Sequence, residues 1–294
     1  MTNQAKNTGA LKIALVGAGG KMGCRLTDNF LKSSQYEVFY IEISDAGKER
    51  LAQRNVKISD DSVIKDADVV ILAVPDIFIG KVATHYLQTF KSGCIVITLD
   101  PAAAVGGHLP KRDDISYFVT HPTHPSVFNW EADEKKHFDY FGGITAKQAI
   151  VCALFQGPEH HYQIGEDLAK VFYQPVTRAH RITAEQMALL EPGLAETFLG
   201  AVAFAMREAM EEIIKKGVPR EAAFDFFMGH INIDLALCFD QIPGGVFSDA
   251  CYKAIKIGKP LIFREDWKKV LDMEHVKYQI SVMTDPNVPV VRDL

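Results

Sequence analysis

The run Leu11–Val16 passes directly into Gly17-Ala18-Gly19-Gly20-Lys21-Met22-Gly23, and a helical pattern of Met22, Leu26 and Phe30 starts as the glycines end. A buried strand, a glycine turn and a helix in that order leave few folds open. Glycine lets the chain turn tightly and lets its backbone approach a pyrophosphate, while the N–H groups of the next helix face the phosphate charge. The spacing departs from strict G-x-G-x-x-G because position 22 is Met. It fits G-x-x-G-x-x-G on Gly17, Gly20 and Gly23, with Gly19 as an extra glycine. The segment from Gly17 to Gly23, including Lys21 and Met22, is therefore expected to bind a dinucleotide.

The pattern repeats along the first half. Short apolar runs at 38–41, 69–74, 95–99 and 117–119 read as buried strands, and helical periodicity fills 22–31 and 77–90. Strands separated by helices imply right-handed βαβ units and a parallel sheet. A late apolar run at 149–155 extends that sheet. Beyond residue 180 the period changes. One long helical pattern covers 183–216 and ends at Gly217; Pro219 suits the first position of a second helix reaching about Phe239, and 266–271 suggests another. The expected fold is α/β: a Rossmann-type parallel-sheet domain at 1–180 that binds NAD, followed by an all-helical domain at 181–294 that closes the substrate cleft and dimerises. A length of 294 residues suits two domains.

Charge and composition exclude other classes. A net charge of −5 offers no basic footprint for nucleic acid. No run approaches ~18 consecutive apolar residues, so no membrane span is expected. The cysteines number five, an odd count without a C-x-x-C pair. That argues for free thiols in a reducing compartment, the cytoplasm, rather than disulfides or a zinc ribbon. Residues 1–10 are polar and read as an unstructured tail, not a signal peptide.

Candidate site residues follow from position along the strands. Glu42 ends the second strand 19 residues after Gly23. An acid there accepts hydrogen bonds from the adenosine ribose and repels a 2′-phosphate, which favours NAD over NADP. Val74, Pro75 and Asp76 follow a strand and should line the nicotinamide side; Asp100-Pro101-Ala102 occupies the matching place after the next strand. His121-Pro122-Thr123-His124-Pro125 lies just past another strand, where the prolines stiffen the loop that carries both imidazoles. On the long helix, Met187, Leu190, Leu194 and Phe198 share an apolar face. Glu191 sits at its edge and is followed by the kinking Pro192, whereas Glu185 and Glu196 lie opposite. His230 and Asp234 are i,i+4 partners on the next helix. The catalytic candidates are His121, His124, Glu191 and His230, with His121 and Glu191 able to hold a divalent metal, zinc or magnesium.

The segments GAGGKMG, HPTHPSVFN, GGITAKQAIVCALFQGPEHHY, HRITAEQMALLEPGLAET and GVPREAAFDFFMGHI together resemble the NAD-binding proteins with a phosphogluconate-dehydrogenase-type C-terminal domain. The resemblance implies NAD-dependent oxidation of a hydroxyl on a sugar acid or related hydroxy acid, in some members coupled to isomerisation of the carbon skeleton. Residues 217–239 and 247–250 look distantly like the helical domain of ketol-acid reductoisomerase, but Arg181 stands where an aspartate of that enzyme would align. The related β-hydroxyacid dehydrogenases carry a catalytic lysine at the opening of the long helix, and 178–186 contains none. The competing readings are oxidative decarboxylation of a 3-hydroxy acid and a non-catalytic NAD-responsive binding protein.

Overall fold

The structure, a computed structural model, describes residues 10–292; the expected tail lies almost wholly outside them. Seven strands form one sheet: β1 (Leu11–Val16), β2 (Tyr36–Ile41), β3 (Val69–Leu72), β4 (Ile95–Thr98), β5 (Ser116–Pro122), β6 (Gln148–Gln156) and β7 (Val176–Arg181). Their order is β2-β1-β3-β4-β5-β6-β7. The helices in chain order are α1 (Lys21–Phe30), α2 (Asp45–Ala52), α3 (Asp76–Tyr86), α4 (Ala102–Val105), α5 (Glu134–His137), α6 (His160–Phe172), α7 (Ala184–Ala188), α8 (Gly200–Lys215), α9 (Arg220–Cys238), α10 (Asp249–Ile262) and α11 (Met273–Met283).

The chain forms two compact units. The first runs through Glu191 and includes Ile280–Val288; the second holds Pro192–Gln279 and the chain from Pro289. The sequence reading places its boundary at 180/181, eleven residues before this division. The first unit keeps α7, whose Ala184 and Met187 join one of its core clusters.

In the first unit the central strands are buried on both faces, which is why they read as continuous apolar runs. Alternation divides their side chains. Ile13, Leu15, Val69, Ile71, Ile95 and Ile97 pack with Leu26 and Phe30 of α1 and Leu168 and Phe172 of α6. Ala14, Val16, Val70, Leu72 and Val96 pack with Ile79 and Ala83 of α3 and with Met187. Two features depart from the expected parallel sheet. β6 pairs antiparallel to β5, because 123–147 returns the chain to the same end of the sheet without a crossover helix. β7 (VTRAHR) escapes the apolar pattern because it is a largely exposed edge strand.

The long helical pattern is broken. Between α7 and α8, Leu189–Leu199 is π-helical and contains Pro192. Proline has no N–H for the usual i→i−4 bond, and a wider turn absorbs the defect. The run 184–215 is long and apolar enough, by length and composition, to cross a membrane. Its first turn, however, carries Ala184 and Met187 into the sheet unit's core. In the second unit Pro219 precedes α9 as its cap rather than opening it. Trp267–Leu271 is a 3₁₀ turn where a helix was expected, and α10 and α11 were not anticipated.

Candidate active site

The glycine loop is set by close backbone approaches. Gly17 adopts φ +78°, and a Cβ there would meet Ala73 O at 2.6 Å; a Cβ on Gly23 would lie 2.0 Å from Gly17 O, and one on Gly19 2.2 Å from Gly47 O. Gly20, the cap of α1, has ordinary extended backbone and is the least constrained. The sterically obligatory glycines are thus Gly17, Gly19 and Gly23, so Gly19 is not an extra. Gly47, which the sequence reading missed, matters as much: its Cβ would strike the Glu42 carboxylate at 2.4 Å.

Glu42 is buried at the end of β2. Its Oε2 accepts from Gly19 N at 3.0 Å, and its Oε1 from Ile43 N, Ser44 N and Ser44 Oγ at 2.8–2.9 Å. The Gly19 carbonyl accepts from Arg50 Nε at 2.7 Å. The acid therefore braces the loop from beneath. The first-turn N–H groups of Lys21, Met22 and Gly23 have no intrahelical acceptor, and the glycine contacts leave no room for side chains in the cradle. These features fit a dinucleotide diphosphate.

At the carboxyl ends of β4 and β5 three more groups converge. Ligand atoms of Asp100, His121 and Glu191 all lie within 4.8 Å of one another. His121 is not past the strand as expected. It belongs to β5, opposite Val151 of β6, because the antiparallel partner prolongs the ladder to Pro122. Its Nδ1 lies 2.7 Å from Pro122 O; a carbonyl only accepts, so Nδ1 carries the proton and Nε2 presents a lone pair. That Nε2 is 3.6 Å from Glu191 Oε1. Burial lowers the His121 pKa; Glu191 opposes the shift and His124 adds to it. The imidazole is thereby held neutral, as a base or metal ligand requires. The sequence places Asp100 at a strand end matching Val74–Asp76, but not among the groups expected to hold a cation. Asp100 Oδ1 accepts from Ala102 N at 2.6 Å, which orients the carboxylate.

His124 sits at φ +59°, a left-handed conformation uncommon outside glycine but one that histidine adopts more readily than most residues. Its Nδ1 donates to Phe141 O at 2.8 Å, leaving a second free Nε2, and its ring centroid is 5.8 Å from that of His121. Asp76 opens α3 after Val74 and Pro75. Burial raises its pKa and the charge of Glu191 raises it further, which places Asp76 near the same cluster. His230 lies in the second unit, exposed on α9, with Nδ1 bonded to Phe226 O at 2.7 Å and its ring stacked on Phe226 rather than directed to Asp234.

One imidazole and two carboxylates form an oxygen-rich donor set, suited to magnesium, calcium or zinc. Two bonds of ~2.4 Å reach across any separation within 4.8 Å, including the 3.6 Å between His121 Nε2 and Glu191 Oε1. Asp100, His121 and Glu191 therefore fit a divalent cation.

Residues 129–284 match the family model for the phosphogluconate dehydrogenase (decarboxylating) C-terminal domain. The chain is 52% identical over 275 residues to a D-apionate oxidoisomerase of Cupriavidus necator, covering 93% of this chain and 99% of that one. The chain belongs to the D-apionate oxidoisomerase family. It is an enzyme, an oxidoreductase. A second family member, from Pectobacterium atrosepticum, is 43% identical and covers 92% of this chain and 95% of its own. A solved Cupriavidus necator protein, described as a semialdehyde dehydrogenase NAD-binding protein in complex with calcium and NAD, superposes with TM-score 0.91 at 51% identity, over 93% of this chain and 99% of that one. A ketol-acid reductoisomerase from an uncultured archaeon shares the fold, with TM-score 0.68 at 16% identity over 91% of this chain and 82% of its own.

Proposed function

We propose that this chain oxidises a hydroxyl of a branched sugar acid of the D-apionate type with NAD, and couples the oxidation to rearrangement of the carbon skeleton. The observation that carries the reading is the cluster of Asp100, His121 and Glu191 on the sheet that also presents the glycine loop. The loop from Gly17 to Gly23 would hold the cofactor's diphosphate. The remaining lone pair of Glu42 Oε2 would take a ribose hydroxyl, and its charge would repel a 2′-phosphate. Backbone at Val74, Pro75 and Asp76 would flank the nicotinamide. When bound, NAD supplies a hydride acceptor, and a divalent cation on Asp100, His121 and Glu191 supplies charge that favours an alkoxide. The chain's own part is proton handling. Without a cation, His121 Nε2 takes the hydroxyl proton and Glu191 stabilises the imidazolium. With Nε2 engaged by a cation, the free Nε2 of His124 takes that role. His230 is retained as a candidate from the helical unit.

We place the segment from 181 onward as the part that closes the substrate site and forms a homodimer. In the second unit α8 and α10 bury no residue, while Phe226, Ile257, Leu261 and Ile262 are each more than 60% exposed. Helices with so little burial need a partner to stand in water, and a second copy of this chain would supply it. The five thiols are all free, which suits the cytoplasm.

The experiment is NADH formation from D-apionate and other C4 to C6 aldonic acids, with and without chelator, using wild type, His121→Ala and Glu191→Ala. Turnover lost in both folded variants is expected; full activity in both refutes the site. Carbon dioxide release in step with NADH would move the reaction to oxidative decarboxylation, and tight NAD binding without turnover on any acid would make the chain a binding protein. A monomeric mass in solution would refute the dimer.

A further inference from the structure

Of the two cations at the start of α1, Lys21 enters the reading above only as part of the glycine loop, and Arg25 has no role in it. Lys21 Nζ stands 5.0 Å and the Arg25 guanidinium 4.8 Å from the centroid of the Phe141 ring. The ring belongs to the 123–147 segment, which is tied to α1 by Asn29 Nδ2 donating to Gly143 O at 2.8 Å, and to the site by His124 donating to Phe141 O. Neither cation makes an ion pair among the described residues. Arg25 Nη1 reaches only the Lys21 carbonyl, at 3.3 Å, and Arg25 Nε is buried with no hydrogen-bond partner. Like charges at i,i+4 repel, and cations in the first turns of a helix oppose its dipole. Attraction to one aromatic face offsets little of this in water. An anion beside Lys21 and Arg25 would resolve all three.

The loop beneath supplies the reason for such a clamp. Gly19 N, a donor that a Rossmann turn could aim at phosphate, is spent on Glu42. Ala18 N and Gly17 N are spent on Ile41 O. Only the first-turn donors of α1 remain on the backbone. We propose that Lys21 and Arg25, steadied on Phe141, form a side-chain clamp for the diphosphate of the dinucleotide and take over the charge neutralisation that the braced loop does not give. This rests on the reading that the loop binds NAD. An anionic group on the sugar-acid substrate shares the same chemistry, and the test separates the two.

The test is titration of the full-length protein with NADH, ADP-ribose and adenosine, by NADH fluorescence and calorimetry, for wild type, Lys21→Met, Arg25→Met and the charge-keeping Arg25→Lys. Each Met variant should weaken NADH and ADP-ribose at least tenfold, leave adenosine unchanged, and flatten the salt dependence of NADH binding. Arg25→Lys should retain most of the affinity. Unchanged NADH affinity in the Met variants overturns the proposal, and a raised KM for the sugar acid beside it would assign the cations to substrate instead. Equal weakening of adenosine, or an Arg25→Lys protein as weak as Arg25→Met, would also overturn it, by showing a loop disturbed as a whole. The binding readout needs no turnover, so failure of the sugar-acid reading leaves this result interpretable.

Discussion

Replacing Glu42 by Gln changes one atom of the side chain and places opposite demands on its two ends. The amide oxygen can keep the side of Ile43 N, Ser44 N and Ser44 Oγ, where three donors converge at 2.8–2.9 Å. The NH₂ then faces Gly19 N, itself a donor, at the position now bonded at 3.0 Å. The protein loses one charge-assisted hydrogen bond and leaves a buried N–H unsatisfied, together about 3 kcal/mol. A unit of this size shifts by about 2–4 °C per kcal/mol, so Tm should fall by roughly 6–12 °C in thermal unfolding followed by circular dichroism. NADH affinity should fall with it, and the NADP to NAD activity ratio should rise as the negative charge is removed. A Glu42→Gln protein within about 2 °C of wild type would refute the brace, whatever its cofactor preference.

Asp100→Ala should weaken calcium or magnesium binding at least about tenfold by calorimetry, with the fold intact by circular dichroism; unchanged affinity would remove Asp100 from the cation site. Gly23→Ala should abolish NADH binding measured by fluorescence, because its Cβ would lie 2.0 Å from Gly17 O. Met187→Ala, at a fully buried position, should cost about 2–5 kcal/mol in urea unfolding. Burial pushes the Cys94 and Cys152 thiols up to about 12. Neither should be alkylated in the native protein at pH 8 by mass mapping, whereas exposed Cys238 should react. Because folding favours the neutral thiols, the stability they contribute is complete below the ordinary thiol pKa of 9 and should be lost as pH rises from there through 12.

The parts of the fold that burial dictates were legible in the sequence. Leu11–Val16 and Val69–Leu72 are apolar throughout because both faces of each strand are covered. Glu191 could be found because Pro192 marks the break in the helical period. What failed to show depends on distant partners. The direction of β6 is set by how 123–147 returns, not by the composition of the strand. Asp100 resembles any acid at a strand stop until His121 and Glu191 arrive from segments far along the chain. Gly47 looks like a poor helix residue until the Glu42 carboxylate is found against its Cα. Lys21, Arg25 and Phe141 share no pattern, and only the folding of the 123–147 segment onto α1 brings them together.

The chain passes from the first unit to the second after Glu191 and returns at Ile280. Ile280 is fully buried, and Thr284 Oγ1 pairs with His108 Nε2 at 3.3 Å within the first unit. The sheet unit is therefore complete only when a segment that follows the whole helical insert is in hand. A nascent chain that has emerged through Glu191 holds every strand and every residue of the cation cluster but lacks its closing piece, and it must wait for the helical insert to be synthesised. A protein with Glu191 joined directly to Ile280 would not have to wait.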